Sequence, residues 1–147
     1  YNTPWSGLTE SHLRGKLPLG AVKESLSRIV HGKKIVGAAI RNDLKALQMD
    51  HPAVVDIQDF EMFRRPKPND TPINLAELWS THFRNKKPIQ QSSHSPIVDA
   101  RAAMALFKLS QGITTDINAE IDDLAEAIEK QHLNVEDNVK SMATDMW

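Results

Sequence analysis

Cysteine is absent from this chain of 147 residues. That excludes disulfides, a thiolate nucleophile and any cysteine-ligated zinc site, and it fits a reducing compartment. Long apolar runs are absent as well; none approaches the roughly 20 residues that cross a bilayer. The opening residues, YNTPWSGLTE, lack the basic-then-apolar order of a secretory signal, and no initiator methionine precedes them. The expectation is a processed product or a piece of something longer, with no membrane association. Without thiolates, metal chemistry would rest on Asp, Glu and His, which suits hard cations such as magnesium or manganese.

What is present is a chain long enough for one domain with one core and a divided distribution of charge. Residues 1–112 hold sixteen Lys and Arg against ten Asp and Glu, a net of +6, whereas residues 113–147 hold two against nine, a net of −7. A basic body with an acidic appendage is built for two different partners, or for a tail that screens a basic surface. Two solvated faces would give the same charges.

The pattern of apolar residues alternates between helix and strand. Thr9 is placed to cap a short helix, and LGAVKESLSRIV follows with Val22, Leu26, Ile29 and Val30 on one face, closed by His31-Gly32. Residues 34 to 40, KKIVGAAI with its flank, read as a buried strand, and RNDLKALQM as a helix opening near Asn42 or Asp43. After His51-Pro52, AVVDI reads as a second strand, and MFRRPKPNDTP as a basic, proline-rich loop. Thr71 as N-cap with Pro72 at the first helical position starts TPINLAELWSTHF. A second basic loop, RNKKPIQQSSH, leads into the helix of HSPIVDARAAMALFKL, which Gly112 closes. This is the signature of an α/β layered fold. Two strands are too few to support that many helices, so part of the sheet is absent or supplied from elsewhere. From Ile113 on, Ile117, Ile121, Leu124 and Ile128 make a heptad-like stripe on an acidic helix. That stripe either packs on the body or docks another protein.

Three side chains stand where elements begin or end: Asp43, His94 and Asp99. Carboxylates at such positions can converge at one edge of a sheet, where two divalent ions about 4 Å apart need several of them. A nearby histidine can then take the proton of an attacking water. Singly, each has an ordinary reading: Asp43 as a cap, Asp99 as the partner of a cation, His94 as a loop residue.

Taken together and in order, WSGLT, KKIVGAAIRNDLKALQMDHP and HSPIVDARAAMALFKL resemble the DEDDh 3′–5′ exonucleases. Within that family they resemble the RNA exonuclease 4 and interferon-stimulated 20 kDa exonuclease group. That group has a Ser-Gly-Ile/Val-Thr loop, a VGHxxxNDLKAL-like segment and a HSSVEDARATMxLY-like segment. The likeness covers roughly residues 1–110. It implies a ribonuclease-H-like fold over residues 1–112, with 113–147 as an acidic helical extension. It also implies removal of single nucleotides from a 3′ end with two magnesium or manganese ions, and a location that is intracellular and often nuclear or nucleolar. By position, Asp43 corresponds to the second-motif metal ligand, His94 to the general base and Asp99 to the third-motif metal ligand. The basic loops at Arg64, Arg65 and Lys67, and at Arg84, Lys86 and Lys87, would then track the phosphates of a single-stranded RNA.

Two departures accompany the resemblance. The family's first motif, an Asp-x-Glu pair on its first strand, belongs upstream of WSGLT and has no counterpart here, and the family's first three strands are expected to be missing with it. Ala38 stands where relatives carry the His of VGH. Two readings follow. In one, these residues are the C-terminal portion of an exoribonuclease whose activity needs an upstream segment. In the other, a non-catalytic exonuclease-like module binds RNA or protein in a larger assembly, through residues 113–147 or an open sheet edge.

Overall fold

A computed structural model of the chain describes residues 8–91 and 94–113, together with Glu126. The Trp5-Ser6-Gly7 part of the first motif and the proposed acidic tail lie outside the described residues. The elements run in the order α1 (Glu10–Leu13), α2 (Leu19–Val30), β1 (Ile35–Gly37), α3 (Ile40–Ala46), β2 (Val54–Asp56), two 3₁₀ turns (Ile57–Asp59 and Glu61–Phe63), α4 (Leu75–His82) and α5 (Pro96–Ser110). The expected mixture of helix and strand is present. Among the described residues the sheet has two strands, β1 and β2, paired in parallel with Ile35 opposite Val54 and Gly37 opposite Asp56.

β1 is shorter than the sequence suggests. It stops at Gly37 because Ala39 takes a left-handed backbone, φ 54°, and serves as the N-cap of α3. Gly37 is required there: a Cβ on it would meet Ile40 Cβ at 2.8 Å, closer than carbon atoms approach. The tight turn moves the start of α3 to Ile40, so Asp43 is a first-turn residue of that helix and not its cap. The turn is held from across the sheet. Asp56, only 5% exposed, accepts hydrogen bonds from the backbone N–H of Ala39 at 3.0 Å and of Gln58 at 3.1 Å. Arg41 pairs with Asp59 at 2.8 Å and lies 3.7 Å from Asp56.

α4 also starts later than expected. Thr71 is not its cap, and Pro72 does not open it. Pro72 is drawn into an antiparallel bridge with Arg64, and Asn74 caps the helix by accepting from the N–H of Glu77 at 2.8 Å. The long-range pairing of the loop outcompetes a local start signal.

The core lies between β1, α4, α5 and the 3₁₀ turns. Its largest fully buried side chains are Trp79, Phe63, Ile57, Leu78 and Leu106. α5 presents Ala102, Ala103 and Ala105 there, all but inaccessible, and side chains this small let the helix lie close to the strand. The Trp79 ring sits 4.5 Å, centroid to centroid, from Phe83, and its indole N–H donates to the Lys87 carbonyl at 3.0 Å. That bond ties the second basic loop to the core.

Candidate active site

β1 ends beside the first turns of two helices. Ser95, extended at φ −105°, caps α5, and Pro96 at its first position fixes the helical φ without needing a donor. Asp99 therefore falls in the first turn of α5, as Asp43 does in the first turn of α3. Both carboxylates stand at the positive end of a helix dipole. Together with His94 they line one cavity of about 680 Å³, whose apolar wall includes Val36, Ala38 and Ala103. The cavity lies beyond the carboxyl end of β1, where ligands bind in open α/β sheets. The structure thus brings together the three residues that the sequence singles out for chemistry.

His94 Nδ1 lies 3.5 Å from Asp99 Oδ2. The other oxygen of Asp99 accepts a 2.8 Å hydrogen bond from the side-chain amide of Gln90. Asp43 has its carboxyl raised above the usual range by burial, then by the negative charges of Asp56 and of Asp99. Positive charge placed among these carboxylates would relieve the repulsion. Two aspartates suit a hard divalent cation in kind. They fall short in number, since among the described residues no group of three or more His, Cys, Asp or Glu is gathered closely enough to hold an ion.

The six basic residues are elsewhere, and none lines the cavity. Arg64 is engaged within its loop, donating from Nε to Asp70 at 2.8 Å and from Nη1 to the Gln58 carbonyl at 3.2 Å. Arg65 pairs with Glu77 at 2.7 Å. Lys67 is exposed ahead of a cis Pro68. Arg84 donates to the Thr81 carbonyl at 3.3 Å, and Lys86 and Lys87 are exposed in the same loop. Ala38, the departure within the second motif, is half-buried against the core and borders the cavity.

Two residues of the site are missing from the sequence reading. Asp56 does leave a signal, an acid ending the apolar run AVV, which marks a buried carboxylate with backbone donors to satisfy it. Gln90 leaves none; its importance comes only from the contact with Asp99.

No protein-family model matches the chain. The chain is 33% identical over 113 residues to the human protein interferon-stimulated 20 kDa exonuclease-like 2, covering 74% of this chain and 32% of that one. It is 38% identical over 106 residues to RNA exonuclease 4 of Debaryomyces hansenii, covering 71% and 38%. Human apoptosis-enhancing nuclease is 30% identical over 116 residues. The chain spans about a third of the length of these curated relatives. Among solved structures, the Neurospora crassa Pan2 catalytic unit, a protease and nuclease domain, superposes with a TM-score of 0.65 at 26% identity. The match covers 87% of this chain and 21% of that one. No described helix is long and apolar enough to cross a membrane.

Proposed function

From the relationship in sequence between this chain and the exonucleases named RNA exonuclease 4 and interferon-stimulated 20 kDa exonuclease-like 2, we propose that its residues form part of a metal-dependent 3′–5′ exoribonuclease site. The fold of which they are part is the ribonuclease-H-like exonuclease fold, with further strands supplied by polypeptide outside the described residues. The observation that carries this reading is the convergence of Asp43 with His94 and Asp99, from two segments far apart in the chain, on one cavity at the end of β1. Asp43 and Asp99 would hold magnesium or manganese, completed by carboxylates from a further segment. When bound, such ions supply a water of lowered pKa and a clamp on the scissile phosphate.

The chain's own residues do the rest. Asp99 orients His94 through Nδ1, which leaves Nε2 to take the proton of the attacking water. The apolar wall of the cavity excludes bulk water and offers a surface to a terminal base. The six basic residues Arg64, Arg65, Lys67, Arg84, Lys86 and Lys87 lie outside the cavity, where they would follow the phosphate backbone of the strand leading to it.

The test is incubation of the chain with 5′-labelled single-stranded RNA and manganese, beside Asp99→Ala and His94→Ala. Stepwise shortening from the 3′ end, lost in both variants, supports the reading. A second reading is favoured by the shortage of metal ligands among the described residues: a non-catalytic module that binds RNA or a protein partner. RNA binding without shortening, unchanged when the missing carboxylates are supplied on an added segment, supports that module and rejects the enzyme.

A further inference from the structure

The C-terminal end of α5 closes beside an open groove. Gly112, left-handed at φ 69°, donates its N–H to the Leu109 carbonyl at 3.0 Å, and the Ile113 N–H reaches back to the Lys108 carbonyl at 3.0 Å. This pair of bonds is the Schellman stop, which ends a helix with its last carbonyls satisfied. At that end lies a groove of about 580 Å³ lined by Phe60, Glu61, Met62, Ser110 and Gln111. Its apolar wall is open to solvent: Met62 is 52% exposed, and Ile113 beside it in sequence to Gln111 is exposed as well. Behind the wall, the Phe60 ring sits 6.3 Å from that of Phe107, and the Lys34 ammonium stands 5.9 Å over the Phe107 ring. Lys108 lies in the last turn of α5.

We propose that this groove is the docking site for the chain's own residues 117–128, with Ile117 and Ile121 seated against Phe60 and Met62. Reach supports this occupant. Ile117 follows Ile113 by four residues, at most about 14 Å of extended chain, and Ile121, Leu124 and Ile128 continue the apolar stripe. Glu126 is helical and exposed, and at 3.6 residues per turn position 126 falls on the side opposite the stripe. Charge agrees: residues 113–147 carry −7 against +6 for residues 1–112, and Lys34 and Lys108 outnumber Glu61 around the groove. A short tether also holds the stripe at a local concentration in the millimolar range, so a separate protein would have to displace it. Docked there, the acidic segment sits at the end of α5 remote from Asp99, about 17 Å along the helix, and leaves the candidate site open.

The chain has no cysteine, so introduced pairs report without background. In the full chain, Met62→Cys is combined in turn with Ile117→Cys, Ile121→Cys and Ala119→Cys, and disulfide formation in a glutathione redox buffer is timed on non-reducing gels at several protein concentrations. Ala119 lies between the two isoleucines in sequence but on the opposite face of a helix, so tether length alone gives the three pairs similar rates. Gln111→Cys, on an exposed residue of the other wall, repeats the comparison in place of Met62→Cys. The expected result is closure within one chain about tenfold faster for an isoleucine position than for Ala119→Cys, at a rate independent of concentration. Equal rates for all three positions from both walls, or no closure from either, would overturn the docking. Disulfides that join two chains, faster at higher concentration, would overturn it in favour of a second copy in the groove.

Discussion

α2 and α5 are helices of twelve and fifteen residues that make opposite use of their apolar side chains. α5 buries Val98, Ala102, Ala103, Ala105 and Leu106; α2 has no buried residue, only half-buried ones such as Leu26 and Val30, and Ile29 on it is 60% exposed. Yet α2 is the more one-sided helix in sequence. The difference teaches what an amphipathic stripe does and does not state. A sharp stripe matches one flat surface and is satisfied only where that surface exists, whereas the broad, small-residue wrap of α5 suits a helix enclosed between a strand and another helix. The candidate site sits on the enclosed side. Asp99 stands on the described helix with the most buried residues, so the candidate site rests on the enclosed half of the molecule.

Replacing the centre of that half should produce the largest effect. Trp79→Ala removes a ring that is 1% exposed, its tilted contact with Phe83 and its hold on the Lys87 carbonyl. A loss of about 3–5 kcal/mol in urea denaturation is expected. A loss below about 1 kcal/mol would mean that the enclosed half is no better packed than α2, and the comparison would collapse.

Legibility in the sequence follows the same division. Asp43, His94 and Asp99 lie in local runs that place them at the ends of elements, whereas the roles assigned to them come only from the resemblance of the ordered motifs. Where an element's limits depend on a distant partner, local rules misplace them. The strand through residues 34–40 ends at Gly37 because Asp56, seventeen residues on, holds the Ala39 N–H in a turn. The start at Thr71-Pro72 yields to Asn74 because Arg64 pairs with Pro72. Gln90 was invisible for the same reason, since its value lies in one hydrogen bond to a residue nine positions away.

A smaller effect, of opposite sign, is expected at the boundary between the two halves. Asp43 has its carboxyl raised by burial and by Asp56 and Asp99, so the folded state disfavours its ionised form. For a carboxylic acid raised on folding, ionisation costs stability at pH values above the folded pKa, and the cost disappears as pH falls through that value toward the unfolded one. Asp43→Asn should therefore melt higher than the parent at neutral pH, with the gap closing in acid. The same thermal scans across pH check it. A gap that widened as the pH fell would show that Asp43 is stabilised as the carboxylate, and that the crowding of negative charge in the cavity is not felt.

The smallest effect belongs to α2. Ile29→Lys replaces an exposed apolar side chain with a residue of better helix propensity, on a helix with no buried residue. A change within about 0.5 kcal/mol is expected in urea denaturation at low protein concentration. The substitution is nearly silent only if the stripe has no partner in solution. A loss above about 1 kcal/mol would mean that the face is covered, and a loss that grows with protein concentration would identify a second copy of the chain as the cover. Silence at every concentration would leave α2 as it stands in the structure, a one-sided helix with no buried residue.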